Sequence, residues 1–144
     1  MVRPTDDQAH IAAALRRSIV RLNRSLRRAR PIGELSPSQL SALTSLDIAG
    51  PLSPGELAEA EGVQPPTMTK VIAKLEELGL VQRAPHPTDR RQVILSITDS
   101  ARTLLRDTSR ARDAWLAERL EGLSATERKT LERAAELLER IARG

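Results

Sequence analysis

Residues 83–98 read RAPHPTDRRQVILSIT and carry an acid and two arginines, Asp89, Arg90 and Arg91, to the tip of what the flanking pattern makes a hairpin. A loop that only reversed the chain would favour Asn-Gly or Asp-Gly, which supply the positive φ values of a tight turn. Two guanidinium groups at such a tip suit an anion instead. An arginine on a projecting loop can enter a narrow minor groove, where the negative potential of DNA is focused. A carboxylate two residues before Arg91 is placed to hold that flexible side chain extended through a charge-assisted hydrogen bond. Alone, the same residues would be a solvated Asp–Arg pair worth roughly 0–1 kcal/mol. The neighbouring segments decide between the two.

Residues 65–78 read as a helix whose inward stripe is Met68, Val71, Ile72, Leu75 and Leu78. The opposite surface carries Gln64, Pro66, Thr67, Thr69, Lys70, Ala73 and Lys74. Such a face fits a major groove. Short hydroxyls and a methyl allow close approach, a glutamine can read adenine, and lysines reach phosphate or guanine. The acids Glu76 and Glu77 come only in the last turn, away from the N-terminal half that reads bases in a helix-turn-helix.

Local signals place these residues. SPSQ at 36–39 is a capping box opening a helix that carries Leu40, Leu43, Leu46 and Ile48 inward and is stopped by Gly50-Pro51. SPGE at 53–56 opens a short helix ending near Glu61-Gly62, and EGVQ then makes the short turn of a helix-turn-helix over 54–78. Gly79 ends the second helix of that motif. Leu80–Ala84 and Gln92–Ile97 read as two antiparallel strands, so the motif is a winged helix.

Long helices flank this lobe. An apolar stripe of Ile11, Leu15, Ile19, Leu22 and Leu26 runs from Asp7 to Arg28, with the arginines largely off it and Pro31 and Gly33 at its end. Thr98 caps a helix over 99–121 with Ala101, Leu104, Leu105, Thr108, Ala111, Trp115, Leu116 and Leu120 along one side. SATE at 124–127 opens a last helix with Leu131, Ala134, Leu138 and Ile141 inward. These stripes extend beyond a compact winged-helix core and need a partner surface.

Composition narrows the function. Of 144 residues none is Cys, which removes thiolate nucleophiles, Cys-based zinc sites and thiol redox sensing. His10 and His86 are the only histidines and sit in no metal, triad or phosphate-loop pattern. No catalytic residue, metal or cofactor is therefore expected, and the chain does not read as an enzyme. No apolar run approaches the roughly 20 residues of a membrane span, and no signal-peptide core follows Met1, so the expected location is cytoplasmic. The net charge is +4, and residues 1–30 hold eight arginines against two acids. That balance points to an anionic partner. The first helix lacks the Trp or Phe anchors of a membrane-surface helix, so no membrane partner is expected.

The stretch LEELGLVQRAPHPTDRRQVILSITDSA, 75–101, resembles the MarR family of bacterial transcriptional regulators. Gly79-Leu80-Val81, Arg83, Asp89-Arg90-Arg91 and Ile97-Thr98 carry the likeness, with isoleucine where the family usually has leucine. The resemblance extends over the whole chain in helix order and length. It implies a mainly α fold, a winged helix-turn-helix with long terminal helices. The whole chain, 1–144, would be one such domain, with dimerisation helices at about 7–30 and 99–142 and a DNA-binding lobe at about 34–98. It implies a homodimer on double-stranded DNA at an inverted-repeat operator, acting as a repressor and released by a small-molecule effector. The lack of Phe and Tyr leaves an aliphatic effector pocket with arginines available, compatible with an anionic organic ligand. Arg91 becomes the minor-groove arginine and Asp89 its orienting partner.

The candidate DNA-contacting residues are Ser53, Gln64, Pro66, Thr67, Thr69, Lys70, Lys74, Arg83, Asp89, Arg90 and Arg91. Pro65-Pro66 departs from the small polar residues more usual in the family and moves base reading toward Gln64, Thr67, Thr69 and Lys70. The competing expectation is an architectural winged helix that binds DNA without regard to sequence and takes no effector.

Overall fold

A computed structural model of the chain describes residues 3–29, 33 and 35–144. Its element order is α1 (Asp6–Ala29), α2 (Pro37–Ala49), α3 (Pro54–Glu61), α4 (Pro65–Glu77), β1 (Val81–Pro85), β2 (Val93–Ile97), α5 (Asp99–Leu120) and α6 (Ala125–Arg143). The mainly helical fold with a small two-stranded sheet is the winged-helix architecture expected from the sequence. Pro31, expected to help end the first helix, lies outside the described residues.

Four of the helices begin at side-chain capping boxes. Ser36, Ser53 and Ser124 all form closed capping boxes, in which the serine hydroxyl accepts the N3 amide and the Gln39, Glu56 or Glu127 side chain accepts the serine amide. Thr5 and Gln8 form a fourth such box, which starts α1 at Asp6.

The chain divides into two compact units, residues 32–109 and residues 1–31 with 110–144; the boundary falls inside α5. In the first unit α2, α3 and α4 bury Ala42, Leu43, Leu46, Leu57, Ala58, Met68, Val71, Ile72 and Leu75 against one another. Leu80, Val81, Leu95, Ile97 and Ala101 complete this aliphatic core, and no polar or charged side chain is buried among the described residues. β1 and β2 pair antiparallel from Val81↔Ile97 to Pro85↔Val93, leaving His86–Gln92 as the connecting loop. The strands lie one residue later at three of their four ends than the sequence pattern placed them. Leu52, between α2 and α3, exchanges two backbone hydrogen bonds with Leu95, at 3.1 and 2.7 Å, and adds a single-residue third rung beside β2.

Ile48 is a correction. Expected inward on α2, it is 82% exposed, because two residues past the buried Leu46 it stands about 200° further round the helix, off the face that meets the core. The chain then turns at Gly50, whose positive φ of 82° suits glycine.

The second unit holds α1, the later part of α5, and α6. Among the described residues neither α1 nor α6 buries a side chain fully. Leu131 and Ile141 of α6, expected to point inward, are 47% and 69% exposed, and Ile11, Ile19 and Leu22 of α1 are about half exposed. The stripes are present, and the single chain leaves them largely open to water.

Candidate nucleic-acid interface

The first unit gathers most of the candidate residues on α4 and on the loop between the strands. At the head of α4 Gln64 is the N-cap, and its carbonyl accepts the Thr67 amide at 3.0 Å and the Met68 amide at 3.1 Å. Its side chain makes no capping bond, which leaves the carboxamide free to meet a base edge. Pro65 and Pro66 occupy the first two helical positions, where their lack of an N–H costs nothing. With Met68, Val71, Ile72 and Leu75 buried, α4 turns Gln64, Pro66, Thr67, Thr69 and Lys70 to solvent.

The polar atoms on that face are not equally available. The Thr69 hydroxyl donates to the Pro65 carbonyl at 2.9 Å, so the side chain presents a methyl and a lone pair rather than a donor. Lys74 lies 3.7 Å from Glu77, and its charge is shared with that carboxylate. Lys70 has no acidic partner among the described residues.

Arg83 is placed differently from the sequence expectation. It points from β1 to Glu76 of α4 in a hydrogen-bonded ion pair, so it ties the sheet to the helix instead of standing free for phosphate. Ser53 is likewise engaged. Its hydroxyl accepts the Glu56 amide at 3.2 Å in the cap of α3. The hydrogen bonds from Ser53, side chain first and backbone second, hold the Glu56 carboxyl below its ordinary value.

The loop is built by its own side chains. His86 Nδ1 accepts from the Thr88 amide at 3.2 Å and the Asp89 amide at 3.1 Å, and so draws the loop around one ring nitrogen. Asp89 Oδ1 then accepts the Arg91 amide at 3.0 Å. This corrects the expected carboxylate–guanidinium contact: Asp89 holds the backbone of Arg91, not its side chain. Neither Arg90 nor Arg91 has an acidic partner among the described residues, and both are exposed. The loop is closed at its neck by His86 N–H to the Gln92 carbonyl, 3.1 Å, and Gln92 N–H to the Asp89 carbonyl, 3.0 Å.

At the other end of the hairpin, Thr98 joins three segments. Its hydroxyl donates to the Gly79 carbonyl at 2.7 Å and accepts the Ala101 amide at 3.2 Å, while its own amide donates to the Leu80 carbonyl. One residue thus caps α5 and fixes the base of the wing to the end of α4. Sequence reasoning assigned the cap and missed the second role, as it missed His86 as the organiser of the loop. The run PHPTD was the available signal, since a histidine between two prolines, followed by Thr and Asp, is poised to accept amides of a tight turn.

The geometry offers a groove-sized helix face with a free carboxamide, a free hydroxyl and an unpaired ammonium. Beside it in the same unit stands a loop with two unpaired guanidinium groups. No cluster of metal-ligating side chains occurs among the described residues.

Comparison with known proteins identifies the family and the fold. The MarR family model matches residues 35–93. An HTH-type transcriptional regulator of Mycobacterium tuberculosis is 48% identical over 133 residues, covering 92% of this chain and 93% of that protein. The HTH-type transcriptional repressor MdtR of Bacillus subtilis is 33% identical over 93 residues, 65% of this chain and 60% of its own length. The crystal structure of a Pseudomonas aeruginosa protein assigned as a transcriptional regulator superimposes with a TM-score of 0.86 at 31% identity, covering 98% of this chain and 99% of the other.

Proposed function

The chain belongs to the MarR family of DNA-binding, helix-turn-helix transcriptional regulators, and from that premise we propose that it represses transcription as a homodimer on an inverted-repeat operator, with release by a small anionic ligand. The observation that carries the proposal is the pairing pattern of the winged-helix unit. Lys74 and Arg83 are engaged by Glu77 and Glu76, whereas Lys70, Arg90 and Arg91 are left unpaired on the exposed helix face and loop. Unpaired, exposed cations at those positions are what phosphate contact and minor-groove entry require.

In this reading Gln64 and Thr67 meet base edges of the major groove, Lys70 meets a phosphate, and Arg91, with Arg90 beside it, reaches the minor groove. Homodimerisation is supported by the open stripes of α1 and α6, whose half-exposed Ile11, Ile19, Leu22, Leu131 and Ile141 would be covered by a second copy. Repression is supported by the likeness to the Bacillus subtilis repressor. The hollow beside α4 does not suit an anionic ligand, because Glu61 is the charged residue that lines it.

Selection of bound duplexes from a random or genomic pool, followed by footprinting, tests the proposal. The expected site is an inverted repeat with half-site centres roughly 10–10.5 bp apart, or a multiple. Protection of one asymmetric half-site would refute the two-fold arrangement. Recovery of no preferred sequence, with steep salt dependence, would replace it by an architectural role.

A further inference from the structure

The arginines of α1 play no part in the winged-helix interface. Between Asp7 and Glu34 the sequence contains no acidic residue. Arg17, Arg21, Arg24 and Arg28 follow one another at spacings of four, three and four, so they form a single ridge along the helix, about 16 Å long at 1.5 Å per residue. All four are exposed, and none forms an ion pair with a described residue. The contrast with α5 and α6 is sharp. There Arg102, Arg133 and Arg143 each meet an acid three or four residues away on their own helix. Like charges at these spacings weaken an isolated helix, so α1 carries a cost that the other long helices avoid.

We propose that the ridge of Arg17, Arg21, Arg24 and Arg28 is a second, sequence-independent contact surface for the phosphates of duplex DNA, separate from the winged helix. The ridge lies on the side of α1 opposite the stripe of Ile11, Leu15, Ile19, Leu22 and Leu26, so covering that stripe leaves the guanidinium groups outward. An anionic membrane fits poorly, because the apolar residues of a surface helix must enter the lipid and these lack Trp, Phe or Tyr. Every cation of the helix is arginine, whose planar fork pairs with phosphate oxygens through two bonds. In a chain that regulates transcription, duplex phosphate is also the polyanion at the highest local concentration.

The test uses the full chain and a duplex of about 30 bp without an operator, by anisotropy over a range of salt. Replacing Arg17, Arg21, Arg24 and Arg28 together by Gln should flatten the plot of log affinity against log salt by about 2–4 units, since each neutralised phosphate contributes about 0.9. The same four positions changed to Lys should keep most of the slope. Matched melting curves exclude misfolding; should the fourfold Gln variant misfold, the pairs Arg17→Gln with Arg21→Gln and Arg24→Gln with Arg28→Gln are each expected to remove about half. A slope unchanged to within about half a unit in the folded Gln variants overturns the inference. So does ridge-dependent binding of poly-glutamate or phosphatidylserine vesicles without ridge-dependent binding of duplex. The inference is separable from the operator proposal. A ridge-dependent slope in a protein with no preferred site supports the one and overturns the other.

Discussion

Replacing Asp89 by Ala and by Asn separates its charge from its hydrogen bond. In the structure Asp89 Oδ1 accepts the Arg91 amide at 3.0 Å, and the Asp89 amide is itself held by His86 Nδ1 at 3.1 Å. The carboxylate therefore orders the backbone that presents Arg91. Fixing one residue's backbone costs about 1–2 kcal/mol. Asp89→Ala transfers that cost to the binding step. It also removes a negative charge, which at about 10 Å from a phosphate in water favours binding by about 0.4 kcal/mol. The difference is a weakening of about 0.6–1.6 kcal/mol, or roughly 3–15-fold. Asp89→Asn keeps an Oδ1 acceptor and loses only the charge, so it should tighten binding about twofold. Arg91→Ala should cost on the order of 1–3 kcal/mol. In that background Asp89→Ala should yield no more than the Coulomb gain, which makes the two changes non-additive. Fluorescence anisotropy on an operator recovered by selection measures all five proteins, after matched melting curves. If Asp89→Ala tightens binding as much as Asp89→Asn does, the hydrogen bond to Arg91 has no role in presenting the wing.

Other substitutions follow from the pairing pattern. Lys70→Ala should flatten the salt slope by about one unit, whereas Lys74→Ala should change it less, because Glu77 already shares that charge. Thr98→Ala removes both the cap of α5 and the bond to Gly79, and should lower unfolding free energy in urea by about 1–2 kcal/mol. Light scattering at micromolar concentration should give a dimer rather than one chain of 15.8 kDa, and a monomer would remove the two-fold operator. The Glu56 carboxyl is held low, so its contribution to stability is present above its ordinary value of 4.5 and lost as pH falls toward its folded value. Acid unfolding of Glu56→Gln should show a shallower pH dependence below that point.

The parts of the fold legible in the sequence are those set within a few residues. Three capping boxes and the inward stripe of α4 depend on neighbours at spacings of three and four, and the pairing of two short strands on alternation and a short connecting loop, and all are found. The expectation fails at Ile48, which lies two residues past Leu46, a step that leaves the stripe of threes and fours and turns the side chain away from the core. The Arg83–Glu76 pair requires knowing how β1 leaves α4, and the Leu52–Leu95 rung joins residues far apart in the chain. Neither leaves a periodic mark. In the loop, the residue types were readable and their bonding was not, because a carboxylate near an arginine has both a guanidinium and an amide to choose from. The amide of Arg91 is fixed by the turn at hydrogen-bond distance, while its side chain must be ordered to reach the same oxygen.

The start of α4 narrows how this protein can read DNA. A helix N-terminus ordinarily offers free amides to a phosphate. Here the first two positions are prolines, and the next two amides, of Thr67 and Met68, both donate to the Gln64 carbonyl. The first turn of the helix itself has no spare amide. Positioning on the backbone must then rest on side chains, which are Lys70 on the helix and Arg90 and Arg91 on the loop. Thr69 has committed its hydroxyl to Pro65, and with Lys70 on phosphate the donors left for bases on the helix face are the Gln64 carboxamide and the Thr67 hydroxyl. Base reading by so few groups places a large share of operator affinity on the wing. That share is why the hydrogen bonds of His86 and Asp89, which touch no DNA in this scheme, govern how well the operator is held.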